Sequence, residues 1–158
     1  MSGVFLTVWD KQLRDKTQLL RMTEGGWPHI TLVHSGKHLS MESLLHIKER
    51  ADNALIGQWV TLWSASIDTF TKEDGVKWHY VLLGIKEEEL IDEVRKEHVL
   101  GNLPDGFDNS TLNMRTPHIT HSTHTSWSDA KNTLDTCLAI INEAGNGHKV
   151  MITGSTLL

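Results

Sequence analysis

A single cysteine, Cys137, leaves this chain without the means to form an internal disulfide. That fits a reducing compartment, with Cys137 as a small core residue. No stretch is long and apolar enough to span a membrane. The opening Met1-Ser2-Gly3-Val4-Phe5-Leu6 has no basic flank and too short an apolar run for a signal peptide. A soluble cytoplasmic monomer is expected, with no membrane partner. Basic charge is also scarce, with 15 Lys+Arg against 20 Asp+Glu and a formal net charge of −5. A nucleic-acid coat protein, or a binder of long double-stranded nucleic acid, would show a basic surface instead. A small nucleotide in a locally positive pocket stays open. Low-complexity segments and long linkers are absent, and 39% hydrophobic residues with mixed charge argue against disorder. Residues 1–158 read as one domain of two lobes, roughly 1–58 plus 148–158 and 59–147.

Proline is scarce too, and two of the three prolines introduce the same tetrapeptide. Pro28-His29-Ile30-Thr31 recurs as Pro117-His118-Ile119-Thr120. Residues two apart on a β-strand point to one face, so each copy offers an imidazole and a hydroxyl side by side.

The surrounding pattern supplies strands for both copies. Val4 to Trp9 is β-branched and aromatic, a first strand. Asp10 is placed to cap a helix over Lys11 to Glu24, ended by Gly25-Gly26. His29 to His34 is a second strand. Ser40 caps a helix whose Leu44, Ile47, Ala51 and Leu55 recur at helical spacing, and Gly57 stops it. Trp59 to Phe70 and Lys77 to Ile85 flank the turn Lys72-Glu73-Asp74-Gly75, as a hairpin would. Glu87, Glu88 and Glu89 open a short helix into solvent, where the helix dipole favours acids. Gly101 to Thr116 is loop-like, and His118 to Ser122 is another strand. Ser126 or Ser128 caps a helix carrying Ala130, Leu134, Cys137, Leu138 and Ile141, and His148 to Thr153 is a last strand. The expected fold is α+β: two pseudo-symmetric lobes of antiparallel strands, with outer helices, around a central groove. Simple alternation sets His29, Thr31 and Val33 on one face, and His118, Thr120 and Ser122 on the groove side.

Histidine exchanges a proton near neutral pH, and two facing imidazoles split the work of base and acid. A phosphorus–oxygen bond needs both operations when it is broken. Thr31 and Thr120 add donors for the charge that gathers on the non-bridging oxygens. No metal or other cofactor is required by this scheme. His29 and His118 with Thr31 and Thr120 are therefore the candidate catalytic set.

The duplicated His-Ile-Thr in matching strand context resembles the two-histidine (2H) phosphoesterase superfamily, which carries two His-x-Thr/Ser motifs in pseudo-symmetric lobes. The resemblance extends over the element order of the whole chain. It implies chemistry on ribonucleotide phosphodiesters, with His29 and His118 as the acid/base pair and Thr31 and Thr120 holding phosphate. Members include LigT-type RNA-end processing enzymes. They also include phage and viral enzymes that destroy cyclic or 2′,5′-linked oligonucleotide immune signals. The implied partner is a small nucleotide or short oligonucleotide.

Two rival readings use the same residues. A nucleotide- or RNA-binding module on this fold would hold its ligand without turnover. A zinc hydrolase would draw on the ten histidines, with His29, His34 and His38 or His118, His121 and His124 as clusters. Strand alternation turns His34 and His121 away from their motif partners, and neither an HExxH pattern nor a cysteine partner is present. Among the six tryptophans, Trp9, with Phe5, is placed by alternation to stack on a base. Tyr80 on the fourth strand is a further substrate-binding candidate. Arg115, three residues before His118, has a guanidinium fork suited to phosphate.

Overall fold

The computed structural model describes residues 2–11, 28–35, 39–103, 105, 107, 112–145 and 147–157. The helix expected to run on from Lys11 to Glu24, its Gly25-Gly26 stop, Trp27, Lys37 and His38 lie outside the described residues. Among the described residues there are seven strands: β1 (Ser2–Trp9), β2 (His29–Ser35), β3 (Trp59–Thr71), β4 (Lys77–Ile85), β5 (Leu112–Asn113), β6 (His118–His124) and β7 (His148–Leu157). Helices α1 (Met41–Leu55), α2 (Glu88–Val94) and α3 (Trp127–Glu143) join them, and α2 runs on through a π turn over Arg95–Val99.

Local chemistry accounts for these boundaries. Ser40 Oγ accepts the Ser43 N–H at 3.1 Å to open α1, which buries Leu44, Ile47, Ala51 and Leu55. Gly57 follows at φ 84°, a conformation that favours glycine. Ser126, rather than Ser128, caps α3 by accepting from the Asp129 N–H at 3.3 Å. The buried stripe of α3 is Ala130, Thr133, Cys137, Ile140 and Ile141, and Leu134 and Leu138 are half-buried beside it. In the β3–β4 turn Gly75 has φ 82° and its N–H reaches the Lys72 carbonyl at 2.9 Å.

All strand pairings are antiparallel, in the order β1-β7-β3-β4-β6-β2-β5, and a β1–β2 pairing closes the first six into a ring. The ring has two three-stranded halves. In one, β7, β1 and β2 run side by side, with α1 packed on β7 and β1; in the other, β3, β4 and β6 carry α3. The halves meet along β7–β3 and along β2–β6. One face of the six ring strands packs on the helices and holds the core, including Leu6, Ile30, Ile47, Leu83, Ile119 and Ile152, all fully buried. Each such side chain contributes roughly 1.5–3 kcal/mol of transfer free energy. The opposite face of the strands is the expected groove face. Among the described residues no helix is long and apolar enough to cross a membrane.

Candidate active site

The two His-Ile-Thr segments meet at the β2–β6 seam. His29 stands directly opposite Thr120, and Ile30 opposite Ile119. The two isoleucines are fully buried on the core face. Their neighbours therefore turn to the other face, and directly opposed residues share a face. Thr31 and His118 are the next residues outward beyond the Ile30–Ile119 pair. Two imidazoles and two hydroxyls from distant parts of the chain thus lie on one face of two adjacent strands. The histidines are diagonal neighbours across the seam, ~7–8 Å apart by strand geometry and somewhat less between Cβ atoms. His29, Thr31 and His118 are half-buried, and Thr120 is 8% exposed.

Simple alternation fails just after each motif. In β2, Val4 of β1 pairs with Val33 but Phe5 pairs with Thr31, so Leu32 is an extra residue. In β6, Val81 of β4 pairs with Ser122 but Leu82 pairs with Thr120, so His121 is extra. Each is a one-residue β-bulge, and a bulge reverses the parity of the residues after it. Val33 and Ser122 therefore fall on the core face, both fully buried, and not on the groove face as alternation predicts. His34 comes round toward the site, where the Phe5 ring packs against both His29 (5.3 Å, edge-on) and His34 (6.0 Å). His124 still belongs to the strand and is buried on the core side, opposite His79. Among the described residues no group of three or more His, Cys, Asp or Glu side chains is arranged to hold a metal ion.

His118 is held by its surroundings in a defined state. Its Nδ1 lies 2.8 Å from the Thr116 carbonyl, which only accepts, so Nδ1–H donates and the neutral ring carries its lone pair on Nε2. Burial pushes its pKa below the usual histidine value. The Thr116 bond works against that, the Arg115 and Arg95 guanidiniums add to it, and Asp68 opposes it.

Arg95, which sequence reasoning missed, is the main organiser behind the site. It is 5% exposed, and its guanidinium donates to three backbone carbonyls: Leu32 at 2.8 Å, Thr31 at 2.7 Å and Arg115 at 2.6 Å. It thus ties the bulge of β2 to the segment that leads into β6. Burial lowers its pKa, with Asp92 opposing through charge and a 3.4 Å hydrogen bond. Its only sequence signal was an arginine at the end of an amphipathic helix, which reads as solvent-facing. Glu87 also departs from expectation: it is half-buried, and its carboxylate accepts the Thr61 N–H at 2.6 Å.

The four substrate-binding candidates fall into two groups. Phe5 sits opposite Thr31 on β1, and Thr7 opposite His29. Trp9, two residues further and 51% exposed, continues that face. Tyr80 shares the groove face of β4 with Gly84, the residue opposite His118, and lies ~13 Å along the strand from it. Tyr80 pairs with Asp68 and meets the Phe70 ring edge-on at 5.4 Å. Arg115 joins that group through a 3.1 Å ion pair with Asp68 and a position 5.9 Å over Phe70.

No protein-family model matches the sequence, and no curated protein matches it. Among solved structures, Usb1 of Kluyveromyces marxianus is similar in fold, with a TM-score of 0.51 at 8% sequence identity, over 99% of this chain and 96% of that one. A structure of the same protein with uridine monophosphate gives a TM-score of 0.45 at 12% identity, over 85% of this chain and 79% of that one. The α+β architecture expected from the order of strands and helices is the architecture found.

Proposed function

We propose that the chain is a metal-independent phosphodiesterase that cleaves small ribonucleotide phosphodiesters by two-histidine acid/base catalysis. The substrates envisaged are cyclic or short oligonucleotides, nucleotide immune signals among them, or 2′,3′-cyclic phosphate ends. The observation that carries this reading is the seam register, which faces His29 against Thr120 and Ile30 against Ile119. A phosphoryl group seated over the seam has an imidazole on either side and a threonine hydroxyl beside each.

The roles follow from the local chemistry. His118, neutral with its lone pair on Nε2, accepts the proton of the attacking 2′-hydroxyl or water. His29 takes the other role and gives a proton to the departing oxygen. Thr31 and Thr120 donate to the non-bridging oxygens as they gain charge. Phe5 and Trp9 line the His29 side for stacking on a base, and Arg115 and Tyr80 offer charge and a ring on the His118 side.

The test is incubation with 2′,3′-cyclic mononucleotides, cyclic di- and trinucleotides and 2′,5′-oligoadenylate, followed by mass spectrometry. Cleavage that survives chelator is the expected result. Products ending in cyclic phosphate mark attack by a 2′-hydroxyl, and products with water added mark hydrolysis. Tight binding with every ligand recovered intact would replace the enzyme by a nucleotide-binding module.

A further inference from the structure

The row of residues that starts at His118 continues across the groove face to donors outside the four-residue site. Gly84 of β4 stands directly opposite His118, and Ser64 of β3 directly opposite Gly84. A bulge at Trp63 separates the Ser64–Gly84 pair from the Leu62–Ile85 pair. Leu83 and Ile85 are fully buried on the core side, so the missing side chain of Gly84 would project into the groove next to His118. That space is taken by Ser64: a Cβ on Gly84 would overlap Ser64 Oγ and lie 3.4 Å from Trp63 Nε1. The serine hydroxyl lies over the glycine, and the indole nitrogen lies beside the same spot. Among the described residues neither atom has a hydrogen-bond partner.

An indole N–H only donates, and a serine hydroxyl donates freely. Two such donors converging on one point suit an oxygen rich in lone pairs. The scissile phosphorus would sit over the β2–β6 seam. The glycine window lies one and a half strand spacings away, ~7 Å, which is comparable to the step between successive phosphates of a nucleotide chain.

We propose that Ser64 and Trp63, brought together over Gly84, bind the phosphate next to the scissile one. The substrate then carries at least two phosphates and is a short or cyclic oligonucleotide, not a cyclic mononucleotide. The inference rests on the reading of the seam as the reaction centre and names the substrate class that this centre takes. Ser64 and Trp63 are substrate-binding residues in this scheme and take no part in proton transfer.

Equilibrium binding of uncleavable deoxy ligands tests it. Thymidylyl-thymidine is titrated bare, with a 5′-phosphate and with a 3′-phosphate, against wild type, Ser64→Ala, Trp63→Phe and Gly84→Ala at fixed ionic strength. One terminal phosphate should tighten wild-type binding by about tenfold. Ser64→Ala and Trp63→Phe should each cut that gain to roughly threefold or less. The methyl of Gly84→Ala should abolish it by displacing the hydroxyl. A wild type that gains nothing from either phosphate, or a gain that persists in Ser64→Ala and Trp63→Phe, would overturn the proposal. Because these ligands lack the 2′-hydroxyl, the result is independent of turnover. A protein that cleaves no ribonucleotide yet shows a Ser64-dependent gain would lose the enzymatic reading and keep the subsite.

Discussion

Strands β2 and β6 begin alike and end differently. Each opens with His-Ile-Thr, each bulges at the next residue, and each then sends its second and fourth residues past the motif to the core. In β2 the residues at and beyond the bulge on the core side are Leu32, Val33 and Ser35, all fully buried. In β6 the matching residues are His121, Ser122 and His124. There the core carries a hydrogen-bonded chain: His121 Nδ1 to Ser122 Oγ at 2.9 Å, and Ser122 Oγ to His124 Nε2 at 2.8 Å, with Thr133 Oγ1 3.5 Å from the same nitrogen. His79, across the pair, is bonded to Thr69 at 2.8 Å and packs edge-on against Trp127. The groove faces of the two strands share the His and Thr of the motif, while their core faces differ. Under the proposed function, chemistry on a phosphate constrains the repeated residues, whereas a core face answers only to packing and hydrogen-bond satisfaction.

The largest effects should come from the part that repeats. His29→Ala and His118→Ala are each expected to lower kcat/KM on a substrate found in the panel by a hundredfold or more. Thermal stability should change little in either variant, since both rings are half-buried in the groove. A large loss in only one of the two would break the equivalence of the strands and leave a single acid/base group.

Arg95 is the next most sensitive point, because it belongs to neither motif but holds both. Arg95→Met orphans three carbonyls, those of Thr31, Leu32 and Arg115. A buried carbonyl without a partner costs about 1–3 kcal/mol, so the variant should lose roughly 3 kcal/mol or more by urea unfolding. Stability equal to wild type would mean that the β2 bulge finds other partners.

The core-face difference predicts a pH dependence confined to one half. Burial, helped by nearby His124, pushes the His121 pKa down from 6.5 to about 4. Between those values the unfolded chain binds a proton that the folded protein refuses, so stability rises with pH across this window. It is intact above pH 6.5 and falls as pH drops toward 4, by up to about 3 kcal/mol from this one group. His124 is shifted in the same direction, mainly by burial. His121→Leu gives β6 the residue that β2 has at Leu32. Urea unfolding at pH 7.5 and 4.5 should then show a smaller acid loss than wild type, by roughly 2 kcal/mol. An unchanged difference between the two pH values would place the acid sensitivity elsewhere.

Much of this was readable from spacing alone. The strands, the two described long helices and the shared face of His29 with Thr31 follow from periods of two and 3.6. Alternation within His-x-Thr spans only three residues, too short for a bulge to intervene. The stretches beyond the motifs were not readable, because a bulge has no fixed sequence signature. Leu32 and His121 share no chemistry, yet each reversed the parity after it, so Val33, Ser122, His34 and His124 all changed sides. Arg95 was hidden for another reason. Its three partners are backbone carbonyls, and any residue type supplies those, so only the folded chain reveals that they converge.

The smallest difference between the halves lies on their helices. In α1, Lys48 contacts Asp52 at 2.7 Å, and Ser155 of β7 receives the lysine at 3.2 Å and donates to the carboxylate at 2.6 Å. In α3, Lys131 and Asp135 pair at 3.1 Å with both side chains more than half exposed. The first cluster joins a helix to a strand and is partly shielded from water, whereas the second is a helix-surface pair. Asp52→Ala should therefore cost about 1 kcal/mol, largely from the lost tertiary hydrogen bond to Ser155. Asp135→Ala should cost about 0.3 kcal/mol and lose even that at high salt. Equal costs in chemical denaturation would show that Ser155 contributes nothing to docking α1 on β7, and that the two helices are held to the ring by their apolar stripes alone.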